Sequence, residues 1–175
     1  MVYGVFLRAI NVGKHNRIRM DALRSLVEPL GYGGVRTYLQ TGNIVLESDE
    51  PAAVVAERLE EALAGSGLRG ATAMVRSRED LLALGDGTIF VPYAAEEHRH
   101  LAIFTREPID LPKPAPYEMR GATFVAVGSG AVLAVIPREA PRPVNVNALV
   151  ESLWQTQATT RWWNVVDDFR RELTA

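Results

Sequence analysis

The chain has 175 residues, 47% of them hydrophobic, and 19 Lys and Arg against 21 Asp and Glu for a formal net charge of -2. That length fits one ordinary domain or two small ones with a real core, and the charge balance excludes a global basic field that would drive non-specific nucleic-acid binding. The absence of cysteine excludes disulfide frameworks, thiolate zinc sites and cysteine nucleophiles, and no apolar run approaches the roughly 18 residues of a membrane span.

Val2 to Ile10 is rich in Val, Ile and aromatic residues and is read as a buried strand. Its early interruption by Arg8 argues against a signal peptide, so a soluble, cytoplasmic protein with no membrane partner is expected. Alternation along this strand would put Phe6, Arg8 and Ile10 on one face and Val5, Leu7, Ala9 and Asn11 on the other. Directly after it, Lys14, His15, Arg17 and Arg19 crowd into "INVGKHNRIR". Met20, Leu23, Val27 and Leu30 recur at helical spacing, with Asp21 near the start and Gly31 at the stop. Val35 to Leu39 and Asn43 to Glu47, separated by Gln40-Thr41-Gly42, predict a hairpin. Pro51 opens a second helix with Val54, Val55, Leu59 and Leu63 on one face and Gly65 at its end, and Ala71 to Val75 makes a fourth strand. The order β-α-β-β-α-β is the split arrangement called ferredoxin-like.

Beyond it, Ser77 is placed to cap a short helix, and "GDGTIFVPY" makes a turn. Leu101 to Thr105 is a strand, and the four prolines between Arg106 and Glu118 exclude regular structure there. Thr123 to Val127 and Ala131 to Ile136 predict a hairpin across Gly128-Ser129-Gly130. Val146 to Trp154 is helical by its apolar spacing, and Thr160 to Leu173 is read as a last helix, capped by Thr159 or Thr160, on which Trp162 and Trp163 diverge by about 100°. The expected fold class is α+β: a ferredoxin-like βαββαβ N-terminal unit, residues 1–78, packed against a smaller α+β C-terminal unit, residues 79–175, of about three strands.

Three places carry polar chemistry. Asn11 and Gly13, followed by Lys14, His15, Asn16 and Arg17, give a backbone able to expose N–H groups beside side-chain donors, which suits phosphate or carboxylate. The spacing is not that of a P-loop, because Gly4 precedes Gly13 by nine residues and His15 follows the lysine. Arg8, inside an apolar strand, must pair with an acid, serve an interface or clamp an anion. Gln40, Thr41 and Asn43 occupy the hairpin tip, and Arg161 and Asn164 flank Trp162 and Trp163. Each has a plain structural counterpart: a hydrated loop, a salt bridge, turn chemistry, or a tryptophan covering its neighbours. Arg19 is read as surface charge. His98 and His100 share a strand face with Glu96 without completing a ligand set, so no metal and no cofactor are expected, and no catalytic nucleophile stands out.

"LRAINVGKHNRIRM", "VRTYLQTGNIV" and "TTRWWNVV", in this order, resemble bacterial domain-of-unknown-function family 1697, over Val2 to about Phe169. Positions matching the family pattern include Arg8, Asn11, Gly13, Asn16, Gln40, Thr41, Asn43, Arg161 and Asn164. Ala9 stands where the pattern has Gly, Lys14 where it often has a second Gly, Trp162 where it has Asn, and Val165 where it has Thr. The resemblance implies ferredoxin-like units in an α+β protein and supplies no activity. Together these readings predict a small anionic or phosphorylated ligand in a cleft between the units. Arg8, Lys14 and Arg161 would hold its charge and Asn11, Gln40 and Asn43 would orient it, whether or not a reaction follows. The alternatives are a nucleic-acid-binding module on an open sheet face, and an interaction or oligomerisation module without ligand.

Overall fold

In the computed structural model, which describes residues 1–128 and 130–173, the chain divides into two units, Met1–Arg78 and Glu79–Ala175. The first contains β1 (Val2–Arg8), α1 (Met20–Val27), β2 (Gly33–Tyr38), β3 (Asn43–Glu47), α2 (Ala52–Gly65) and β4 (Thr72–Ser77). Its strands lie in the order β2-β3-β1-β4, each antiparallel to its neighbour. One sheet face is covered by the helices: Tyr3, Val5 and Leu7 of β1 pack with Leu23 and Val27 of α1 and with Val55, Leu59 and Leu63 of α2. The helix expected up to Leu30 tightens at Glu28–Leu30 into a 3-10 turn, closed by Gly31 at φ 85° donating its N–H to Glu28 O at 3.1 Å.

The first strand ends at Arg8 and not at Ile10, because Ala9 takes a left-handed φ of 60°. That turn breaks the alternation expected from the sequence. Ile10 therefore joins Leu7 in the helix-side core instead of lying with Phe6 and Arg8. Gly42 makes this packing possible: a Cβ there would stand 2.3 Å from Ile10 Cδ1 and 3.1 Å from Leu7 Cβ, at a φ of 75°. Its carbonyl also accepts the Leu7 N–H at 2.9 Å.

The second unit holds α3 (Arg78–Leu82, whose first residue closes the first unit), β5 (His98–Thr105), β6 (Tyr117–Met119), β7 (Ala122–Val127), β8 (Val132–Pro137), α4 (Val146–Trp154), β9 (Ala158–Trp162) and α5 (Trp163–Glu172). The sheet order is β6-β7-β8-β5-β9, antiparallel throughout. Leu101, Ile103, Phe124, Val132 and Ala134 pack with Val146, Leu149 and Val150 of α4. Asn145 caps α4, its Oδ1 accepting the Ala148 N–H at 3.0 Å. The turn expected at Gly128-Ser129-Gly130 includes Ser129, which lies outside the described residues; on its flanks Gly128 N donates to Ala131 O at 3.0 Å.

The short helix expected after Ser77 spans Arg78–Leu82, which leaves Ser77, the last residue of β4, at its N-cap position. Three other features of this unit differ from the expectation. The prolines give way to a strand, β6, which pairs with β7 as the outermost strand of the sheet. Residues 158–162 are strand and not helix: Thr159 and Thr160 are β-branched, and pairing with β5, Ala102 opposite Arg161, overrides the apolar spacing. Neither threonine caps α5, and Trp162 and Trp163 do not diverge along one helix. Trp162 ends the strand 47% exposed, whereas Trp163 begins the helix buried. With five strands in place of about three, the second unit is the larger of the two and not the smaller. Among the described residues no helix is long and apolar enough to cross a membrane.

Candidate functional site

The basic loop after β1 is held by two asparagines. Ala9, Asn11, Gly13 and Asn16 all adopt positive φ, at 60°, 52°, 60° and 48°, and Asn tolerates that region better than other residues with a Cβ. The Asn11 amide nitrogen donates to Ile18 O at 3.0 Å and to Gln40 O at 3.1 Å, while its Oδ1 accepts the Ile18 N–H at 2.9 Å. Asn16 Nδ2 donates to Ala9 O at 2.7 Å and to Arg69 O at 2.9 Å. One amide thus ties the loop to the hairpin tip and the other ties it to the connection between α2 and β4. The tip is braced by Asn43, fully buried, whose Nδ2 donates to Tyr38 O at 3.1 Å and to Thr41 Oγ1 at 2.9 Å.

Between loop and tip lies an open cleft of about 460 Å³ lined by Asn11, Arg17, Ile18, Arg19, Gln40 and Thr41. Arg17 Nε donates to Gly13 O at 3.0 Å, and the guanidinium has no carboxylate partner among the described residues. Arg19 is different, since its Nε and Nη2 each meet Asp21 at 3.2 Å. The Ala22 N–H, which Asp21 Oδ1 accepts at 2.9 Å, and Arg19 together hold that carboxyl below its usual value of 3.8.

Of the residues expected at a site, Asn11, Gln40 and Thr41 line this cleft, and Asn16 and Asn43 brace it through backbone and side-chain bonds. Gly13 and Lys14 occupy the exposed loop apex, and the Gly13 carbonyl orients Arg17. Arg8, at the end of β1, follows Phe6 in the alternation and so lies on the sheet face away from α1 and α2. Arg161 and Asn164 belong to the second unit. Arg161 is buried on β9, its Nη1 donating to Thr159 Oγ1 at 2.8 Å and Thr160 O at 3.1 Å, and burial pushes its pKa down to about 10, leaving it a cation at neutral pH. Asn164 is exposed in the first turn of α5. The sequence puts Arg17 among the donors of the loop without making it a ligand-binding residue, and reads Arg19 as surface charge. The signal available for Arg17 was its position four residues after Gly13, within reach of that glycine's carbonyl once the chain turns back.

A second concavity in the first unit, about 450 Å³, surrounds Arg58. Its charges are mutually satisfied: Arg58 Nη1 meets both Glu50 oxygens at 2.8 and 2.9 Å, Nη2 donates to Leu30 O at 2.8 Å, and the Tyr32 hydroxyl donates to Glu50 at 3.2 Å. The Glu50 bond raises the Arg58 pKa and burial raises that of Tyr32, so this cluster is a clamp between elements. The histidines read as possible ligands are engaged in packing. His100 stacks on Phe90 at 4.6 Å with Nε2 2.7 Å from Tyr93 O, and His98 meets the Tyr93 ring edge-on at 5.6 Å. Among the described residues no group of three His, Cys, Asp or Glu could hold a metal ion.

A family model described as "Protein of unknown function (DUF1697)" matches residues 1–123, a span that contains the loop and the hairpin tip and ends before Arg161. The solved structure of the conserved bacterial protein SP0830 from Streptococcus pneumoniae is similar to 99% of this chain and 98% of its own, with a TM-score of 0.71 at 22% identity. At that identity the likeness shows a shared α+β fold. No curated protein matches the chain.

Proposed function

Because the chain belongs to the DUF1697 family of proteins of unknown function, we propose a role from its own residues: binding of a small anionic or phosphorylated ligand in the cleft between loop 9–19 and the hairpin tip. The observation that carries this reading is Arg17. Its Nε is anchored on Gly13 O, so the guanidinium is oriented while its two Nη groups stay available as a fork for phosphate or carboxylate. Gln40 stands on the opposite wall as an orienting amide, and Lys14 at the loop apex adds positive potential. Neither Arg8 nor Arg161 is needed. The cleft lining of amides, guanidinia and a hydroxyl supplies recognition, and no chemical step is assigned to it.

The supporting scaffold is a βαββαβ unit that we take as ferredoxin-like, because its strand order β2-β3-β1-β4 places an antiparallel strand between the two joined by α1. The loop leaves β1 and the tip leads into β3, its neighbour in the sheet, so a rigid frame holds the two pieces of a site made of loops. Thermal-shift screening against phosphorylated metabolites and nucleotides tests the reading. A ligand at 100 times its Kd stabilises by about 2.7 kcal/mol, worth roughly 5–10 °C in a chain of this size. The stabilisation should vanish in Arg17→Gln, and a screen in which nothing stabilises the wild type would overturn the proposal.

A further inference from the structure

The second unit has a concavity of its own, about 380 Å³, where β5 outlasts β9. Trp162, the last residue of β9, pairs with Leu101, so His98–His100 run on beyond that ladder while the chain leaves the sheet into α5. On the face that packs against α4, Arg99, Leu101, Thr160 and Trp162 surround a hollow closed by Ile136 of β8 and Asn147 of α4.

Three observations mark it as a place for a ligand. Arg99 Nε is buried and has no hydrogen-bond partner among the described residues, nor does the guanidinium meet a carboxylate there. A buried guanidinium N–H without an acceptor is a costly arrangement that an incoming anion would relieve. Second, the guanidinium carbon sits 5.2 Å from the centroid of the Trp162 ring, which fixes the cation against an indole that is itself 47% exposed. Third, the Thr160 hydroxyl donates to Asn147 Oδ1 at 2.6 Å, which fixes the amide so that its Nδ2 remains a donor at the cleft. Leu101 and Ile136 make the remaining wall apolar.

The geometry points to a binding site for a small monocarboxylate with a flat apolar body, the carboxylate on Arg99 and Asn147 and the body against Trp162, Leu101 and Ile136. A planar guanidinium fork matches a carboxylate, the single cation suits a single negative charge, and the volume lies near the small end of ligand clefts. This site is independent of the loop cleft in the first unit. The test is titration of the full chain with phenylacetate, with phenylacetamide as its neutral counterpart and inorganic phosphate as a charge-only probe, followed by amide and indole resonances. Phenylacetate should give saturable shifts at residues 99–101, 144–147 and 160–162, with about tenfold weaker binding for phenylacetamide and for phenylacetate to Arg99→Gln. Equal binding of acid and amide by the wild type, shifts confined to residues 11–19, or phosphate binding here as well as phenylacetate would each overturn it.

Discussion

Replacing Asn11 by glycine keeps a residue that accepts a φ of 52° and deletes the three side-chain hydrogen bonds that join the loop to itself and to the hairpin tip. The two bonds with Ile18 are partly buried, and the one to Gln40 is exposed. Taking about 1 kcal/mol for each of the former and about 0.5 kcal/mol for the latter, the loss is roughly 2.5 kcal/mol. Asn11→Ala loses the same bonds and adds the cost of a left-handed alanine, about 1 kcal/mol more. At about 2–4 °C per kcal/mol in a chain of this size, glycine should lower Tm by roughly 5–10 °C and alanine by somewhat more. Urea unfolding followed by far-UV circular dichroism measures the stability, and hydrogen exchange of the Ile18 amide, whose N–H is bound to Asn11 Oδ1, reports the site itself. A change below about 0.5 kcal/mol in both variants, with Ile18 exchange unaltered, would refute the view that this amide holds the cleft together.

Gly42→Ala should cost about 2 kcal/mol or more, since the new Cβ would meet Ile10 and Leu7 at a left-handed φ; combining it with Ile10→Val, which removes the nearest atom, should cost less than the sum of the two singles in urea unfolding. Ala9→Gly should stabilise by up to about 1 kcal/mol, because glycine takes the φ of 60° without the steric penalty alanine carries there. Asp86 accepts the Thr88 N–H at 3.1 Å, and that bond holds its carboxyl below 3.8. A depressed folded pKa means stabilisation present above the unfolded value and lost as pH falls through the folded one. The wild type should therefore lose its advantage over Asp86→Asn as pH falls through and below 3.8, read from urea midpoints.

Where local pattern and tertiary context agree, the sequence is sufficient. α4 runs over Val146–Trp154 as its apolar spacing and Asn145 cap require, and the hairpin around Gly42 follows from two β-prone runs and a glycine. It fails where context decides. Trp163, Val166 and Phe169 recur at spacings that fit a helix beginning at Thr160, but the edge of β5 was available for pairing and drew residues 158–162 into the sheet. The turn at Ala9 runs against alanine's own preference and shows itself only as a departure from a pattern with glycine there. At the site, Asn11 and Asn16 were legible as turn residues, but the bond from Asn16 to Arg69, fifty-three residues away, needs the packed unit. The pairing of Arg99 with Trp162 likewise depends on strand register that no local pattern encodes.

Arg17, set between loop and hairpin tip, is the residue on which anion binding in this cleft turns. The most direct measurement is a phosphate titration of the wild type and Arg17→Gln at about 50 mM salt, followed residue by residue through backbone amide resonances. Saturable shifts should cluster at residues 11–19 and 39–43 in the wild type and weaken about tenfold or more in Arg17→Gln. Saturable shifts of equal size in both proteins, or none at those residues, would contradict that role.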